Sequence, residues 1–346
     1  MYNTKRREFI KSVGIAGASI GLSGNVLSAV ANAIPYSQNR IGIIGLDTSH
    51  SIDFTKMLNN STADPDFKGY KIVAAYPYGS REIESSAKRI PDYIRQVKEF
   101  GVEIVESIND LLAKVDFVLL NTNDGRLHLE QALQVFKAGK RMYIDKPFAG
   151  SLADAIAIFE ASAKFNSPTF TTSSMRYIHN LSDLRPEKLG KILGAETYSP
   201  AALDKTHPDL FWYGMHGVEM LYTVMGTGCK QVSRVTTKDT DLVTGVWNDN
   251  RVGSFRGTRT GPHKYGGTVF GEKAIVPLES AKGTKALMNE IIKFFQTGNP
   301  PVPANETIEL YAFMEAADES KRRGGAVVNI DLTINKARKK AQKYNF

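Results

Sequence analysis

Polar chemistry in this 346-residue chain concentrates in a few short stretches. In "YGMHGVE", His216 and Glu219 stand three apart, a spacing that lets both lie on one helix face. An imidazole held by a carboxylate is a natural general acid or base. A satisfied core histidine is the competing reading. In "YIDKPFAGS", Lys146 follows an apolar run and precedes Pro147. An ammonium at a strand end can hold a substrate hydroxyl or carbonyl oxygen and stabilise an alkoxide-like transition state, with Asp145 orienting it. By position alone a surface lysine before a turn proline is the favoured reading. His207 and His263, taken with His216 and Glu219, are scattered without the tight spacing of a metal site, and no metal is expected.

A further stretch, "RIGIIGLDTSHS", begins like a nucleotide-binding strand and turn. The usual three glycines make the tight turn, admit the pyrophosphate and pack the helix on the strand. Gly45 keeps the first task. Asp47 holds the second place, where like charge repels a diphosphate, and His50 holds the third. Thr48 and Ser49 still offer hydroxyls and backbone N–H groups at a helix start, which suits an anion. Asp47 is expected to cap that helix, and His50 to reach the crevice or a phosphate. The next apolar run ends in "AAYPYGSRE" without the acid that usually binds the adenosine ribose. Ser80 and Arg81 suit a 2′-phosphate, a tilt toward NADP over NAD. Alternatively, Tyr76 or Tyr78 fills a remodelled adenosine pocket.

The elements that must position these residues follow from periodicity. Apolar runs at "RIGIIGL", "YKIVAAYP", "VEIVES", "DFVLLNT", "RMYIDKP" and "PTFTTSS" alternate with helical patterns. Alternation at this spacing predicts a doubly wound parallel sheet, the Rossmann arrangement, over residues 40–174. Ligands in such sheets sit at the carboxyl ends of the strands. That places residues 46–50, 121–124 and 145–147 around one crevice. From 175 to 346 strands follow one another, interrupted by "GMHGVEMLYTVMG" and closed by further helices. The expectation there is an α+β domain with an open, mostly antiparallel sheet.

Taken in order, "IGIIGLDTSH", "NTNDGRLH", "YIDKPFAGS" and "YGMHGVE" resemble the Gfo/Idh/MocA family, nicotinamide-dependent oxidoreductases related to glucose-fructose oxidoreductase and inositol dehydrogenase. The resemblance spans nearly the whole chain after residue 33, and the terminal "NETIELYAFMEAADESKRRGG" is similar to the family's last helix. It implies catalytic roles for Lys146 and His216 across the substrate, with Glu219 orienting the imidazole. Asp145 replaces the family's Glu before Lys-Pro, and Glu219 replaces its Asp. The resemblance also implies that Asn121, Thr122 and Asn123 contact the ribose and nicotinamide side, with Asp145 and Pro147 alongside. His128 is expected to pack or cap. Arg176 and Tyr177 in "SSMRY", with Trp212 and Tyr213, are expected at the substrate; an interdomain ion pair is the alternative for Arg176. A sugar or polyol hydroxyl is the implied target. A homo-oligomer, dimer or tetramer, is implied through the open face of the second sheet. The altered turn keeps a second class open: a carbohydrate-binding protein, or a lyase or hydrolase, on the same fold without its cofactor.

The N-terminus adds a location. Lys5, Arg6, Arg7 and Lys11 precede a Gly/Ala/Ser-rich weakly apolar run ending in "ANA" at 31–33. Residues 1–33 thus read as a secretory leader, and "RREFIK" resembles a twin-arginine signal. Export of that kind moves folded proteins, so a nicotinamide cofactor would travel tightly bound to the periplasm. No lasting membrane insertion is expected after cleavage, and residues 34–39 read as a linker. The net charge of +8 includes +3 from this leader, and the tail cluster "NKARKKAQK" reads as a solvated helix; nucleic-acid binding is not expected.

Overall fold

The computed structural model describes residues 39–177, 184–279 and 283–346. The leader at 1–33 therefore lies outside the described residues. The first apolar run is β1 (Arg40–Ile44), followed by α1 (Ser49–Asn59) and β2 (Lys71–Tyr76). Next come α2 (Glu84–Ala87), α3 (Ile90–Glu99), β3 (Glu103–Ile104) and α4 (Ile108–Lys114). Pro91 sits in the first turn of α3, where its missing N–H has no helical partner to lose. β4 (Phe117–Leu120), α5 (His128–Lys137), β5 (Arg141–Ile144), α6 (Leu152–Lys164) and β6 (Thr169–Phe170) complete the alternation. Ser107 and Ser151 cap α4 and α6 by accepting from the N–H groups of Asp110 and Asp154.

These six strands pair in the order β3-β2-β1-β4-β5-β6, every pair parallel. The order reverses between β1 and β4, and a doubly wound sheet binds its ligand outside the strand ends at such a point. Gly45 makes the turn there. Its φ of +91° is one that L side chains rarely adopt, and a Cβ would lie 2.5 Å from the Thr122 nitrogen.

The remainder comprises α7 (Pro186–Leu189), β7 (Ile192–Pro200), α8 (Asp209–Trp212), α9 (Met215–Met225), β8 (Cys229–Thr236), β9 (Thr240–Trp247), β10 (Val252–Thr258), β11 (Gly266–Gly271) and β12 (Ile275–Glu279). α10 (Thr284–Thr297), α11 (Ala304–Arg322), β13 (Val328–Asn329) and α12 (Ile330–Ala341) follow. Seven strands form a second sheet, β12-β11-β7-β10-β9-β8-β13, antiparallel except for β7 beside β10. Alternate residues of β9 are buried, as a sheet with one covered face requires.

α10 does not stay with the second sheet. Phe295 stacks on Phe117 at 4.7 Å and Phe294 meets Phe170 edge-on at 4.9 Å, so this helix covers the parallel sheet. The described residues fall in one compact unit with a shared core. No helix among the described residues is long and apolar enough to cross a membrane.

Gly45→Ala should cost roughly 1–3 kcal/mol, since it forces both a disfavoured φ and a backbone clash. Urea unfolding of the two proteins checks this; equal stability would mean the turn is not constrained as described.

Candidate active site

At the switch point stands Asp47, fully buried. Its carboxylate accepts from the backbone N–H of Ser80 at 3.1 Å and of Asn123 at 2.9 Å. It therefore ties the ends of β1, β2 and β4 together. The capping role expected of it is not what the structure shows: Thr48 occupies the N-cap of α1 and no side chain bonds there. Space for the carboxylate exists because residue 79 is glycine, whose Cβ would lie 2.1 Å from Asp47 Oδ2. Burial pushes this carboxyl up to about 6, against the two backbone donors; the charge of Asp124 adds to the rise.

Ser80 and Asn123 differ from expectation. The Ser80 hydroxyl donates to Asp124 at 2.8 Å and accepts from the Ile83 N–H, so it is already engaged. The Asn123 amide donates to Ser86 Oγ at 2.9 Å, pointing to α2 rather than to a nicotinamide. Beside them, Arg81, Glu82, Asp124 and Arg126 line a pocket of about 390 Å³. Arg126 bonds both Asp124 and Glu82. Two carboxylates thus balance the two arginines, and the pocket offers no net positive charge to a 2′-phosphate. Ser49 is exposed at the start of α1, and Thr48 is buried beside it. Buried Asn121 Oδ1 and Thr122 Oγ1, at the end of β4, have no hydrogen-bond partner.

Lys146 is half-buried at the end of β5, joined to Pro147 by a cis peptide bond. Its neighbour Asp145 does not serve it alone. Asp145 Oδ2 pairs with His50 Nδ1 at 2.8 Å, and Oδ1 accepts from the Tyr143 hydroxyl at 3.2 Å. Burial opposes ionisation of Asp145, but the charge and hydrogen bond of His50, with the charge of Lys146, hold it at about 2. Asp145 is fully buried, so it supports the site from behind instead of meeting a cofactor directly. His50 reaches it because α1 places the ring on Phe54, with centroids 5.1 Å apart.

α9 brings His216 to the same place. Thr197 Oγ1 on β7 donates to the Gly217 carbonyl at 2.9 Å, anchoring the first turn of that helix. His216 is buried and shares a 2.6 Å hydrogen bond between Nδ1 and Ser173 Oγ. Burial lowers its pKa well below the ordinary value; the charges of Lys146 and His50 lower it further, and Asp145 opposes them. Glu219 does not orient it. Its carboxylate accepts from Arg176 Nε at 2.7 Å and from Thr172 Oγ1 at 2.5 Å, and Arg176 also pairs with Glu306. Three residues along a helix shift direction by about 60°, enough to send the two side chains to different partners. Arg176 thus ties the segment after β6 to α9 and α11.

The expected substrate aromatics divide. Tyr213 meets His216 edge-on at 5.2 Å and receives a hydrogen bond from Tyr265, and His263 packs against both tyrosines. Trp212 instead lies against His207, with centroids 5.1 Å apart. The Tyr177 hydroxyl is buried without a partner. His207 Nε2 accepts from the Gly125 N–H at 3.2 Å, and burial takes its pKa down to about 4, so it is a neutral clasp on the β4 turn. His128 bonds the carbonyls of Thr122 and Phe148, a packing role as expected. Among the described residues no group of three or more His, Cys, Asp or Glu is placed to hold a metal. Sequence reasoning placed Asp124 at the crevice without its network, and missed Gly79, Ser173 and Tyr265; a glycine at the end of β2 was the available signal.

Since folding raises the Asp47 pKa, its stabilising share is complete below the unfolded value near pH 4 and is lost as pH rises through about 6. Relative to Asp47→Asn, the wild type should lose on the order of 3 kcal/mol across that window and stay level above it. Denaturant unfolding of both proteins at several pH values checks this. A wild type that gains stability relative to Asp47→Asn as pH rises would contradict it.

Residues 39–171 match the GFO_IDH_MocA family model, described as an oxidoreductase family with an NAD-binding Rossmann fold. No curated protein matches the sequence. Similar solved structures include a probable dehydrogenase from Thermotoga maritima, 19% identical over 85% of this chain and 99% of that one, with a TM-score of 0.69. Scyllo-inositol dehydrogenase from Lactobacillus casei, with bound cofactor NAD(H) and scyllo-inositol, is 16% identical over 84% and 99%, with a TM-score of 0.68. An oxidoreductase from Agrobacterium radiobacter, in complex with NAD+, L-tartaric acid and magnesium, is 14% identical over 86% and 99%, with a TM-score of 0.68. At these identities the likeness is one of fold. The match to that family's NAD-binding Rossmann model covers residues 39–171, and the chain as a whole shares the fold of these solved structures.

Proposed function

We propose that this chain is an NAD-dependent dehydrogenase acting on a sugar or polyol hydroxyl. The observation that carries the reading is that Lys146, at the end of β5, stands near enough to buried His216 on α9 for its charge to lower the imidazole's pKa. The residues present suit a nicotinamide dinucleotide in three respects. Gly45 makes the required turn, the start of α1 offers N–H groups to an anion, and Asn121 and Thr122 hold orphaned polar atoms at the switch point. Asp47 opposes it. When bound, that cofactor supplies the hydride acceptor or donor. Gly45, Thr48, Ser49, Asn121 and Thr122 would hold it, with Glu82 at the adenosine end. The balanced charge of that pocket favours NAD over the NADP that Ser80 and Arg81 suggest.

The chain's own groups handle the proton and the oxygen. Lys146 Nζ has no hydrogen-bond or ion-pair partner among the described residues, so its ammonium is free to meet a substrate oxygen. A cation there stabilises negative charge developing on that oxygen. His216 is held neutral by burial and by nearby cations, the form that accepts a hydroxyl proton. Ser173 fixes the ring. Tyr213 and Tyr265 offer aromatic surface and hydroxyls to a polyhydroxylated ring. Export through the arginine-rich leader, and pairing of two copies through Tyr198, Val252, Phe270 and Ile275 on the outer face of the second sheet, belong to the same proposal.

The test is NAD reduction followed at the nicotinamide absorbance with a panel of inositols, hexoses and sugar acids. Lys146→Ala should lower turnover on any accepted substrate by roughly 100-fold or more, with NADH affinity changed by less than about tenfold. Unaltered turnover would remove Lys146 from the chemistry. No turnover and no NADH binding across the panel would favour a non-redox use of the fold, the reading that Asp47 keeps open.

A further inference from the structure

Asp47 is the residue least suited to the dinucleotide reading, and its surroundings show how the two can coexist. In a doubly wound sheet the second fingerprint position is where the backbone approaches the pyrophosphate. Here that position carries a carboxylate, fully buried at the sheet's switch point. It has nowhere to swing: Gly79 leaves room only for a hydrogen atom in front of Oδ2, and the N–H groups of Ser80 and Asn123 hold the two oxygens. A diphosphate arriving at the start of α1 would face a fixed negative charge in a place poorly screened by water. The charge can disappear without any movement, through protonation.

We propose that Asp47 is a proton-operated gate on the dinucleotide crevice, so that a nicotinamide dinucleotide binds together with one proton taken up by this carboxylate. The inference rests on the dinucleotide reading above. The proton comes from solvent and forms an O–H bond on Asp47; nothing else is made or broken. Burial has already brought the carboxyl to about 6, so the uptake falls within ordinary solution conditions. Other charged groups also face the crevice. His50 stands on α1, and Arg81 and Glu82 stand in the loop after β2. Asp124 and Arg126 follow β4, Asp145 and Lys146 end β5, and His207 and His216 come from the second half. These groups are common to the wild type and its Asp47 variants, so the separation between the two is the informative quantity.

The experiment is calorimetric and fluorescence titration of the folded chain with NADH. In the wild type, the dissociation constant should rise by up to about tenfold per pH unit between about pH 6 and about pH 8. Repeating the titration in two buffers of different ionisation enthalpy should show close to one proton taken up near pH 7.5. Asp47→Gly should bind NADH at least about tenfold more tightly than the wild type near pH 8. Asp47→Asn, which keeps the shape, should flatten the pH dependence and lower the proton count, and it serves if the glycine variant fails to fold. Equal slopes and proton counts in wild type and variants would overturn the gate while leaving the cofactor reading intact. Weaker NADH binding in both variants would overturn it too. If neither wild type nor variants bind NADH at any pH, the gate and the dinucleotide reading fall together.

Discussion

A carboxylate buried where the strand order reverses must be surrounded by donors, and much of the site follows from how that demand is met. Asp47 takes the N–H groups that end β2 and β4, and so fixes the spacing of three strand ends around the crevice. Its neighbours then arrange themselves in turn: Ser80 donates to Asp124, Asp124 binds Arg126, and Arg126 binds Glu82. The adenosine side becomes a balanced ionic network instead of a plain acid for a ribose. An unpaired charge in this position would cost several kcal/mol, so the donors are a condition of the fold and not an ornament to it.

The opposite side of the crevice is built on the same logic with the charges exchanged. Asp145 is buried and ionised because His50 and Lys146 stand beside it. Burial keeps His216 neutral, and the charge of Lys146 adds to that effect. One buried carboxylate thus stands behind both Lys146 and His50. The second sheet supplies rigidity for the His216 imidazole. Buried Arg234 binds Asp209, Asp241 and Asp318, fastening the start of α8 to β8, β9 and α11 just ahead of the segment that carries Tyr213 and His216.

Much of the fold was legible from periodicity. The parallel strands, the capped helices and the alternating strands β9 and β10 lie where apolar spacing puts them. The return of α10 to the first sheet was not legible, because it depends on Phe294 and Phe295 finding Phe170 and Phe117 more than a hundred residues earlier. Within the site, Lys146 and His216 could be picked out from their place at element ends. Their partners could not. His50 meets Asp145 across 95 residues and His216 meets Ser173 across 43, and no local pattern encodes such pairs. Glu219 shows the reverse failure: helical spacing suggested His216, but the nearby guanidinium of Arg176 offers a charge-assisted partner.

The crevice between Asp47 and Lys146 is the centre of this description, and a crystal structure of the chain grown with NADH tests it most directly. The expected result is the diphosphate at the start of α1, beside an Asp47 still held by Ser80 and Asn123, and the nicotinamide between Lys146 and His216. A nicotinamide bound away from Lys146, or a crevice that excludes NADH altogether, would contradict it.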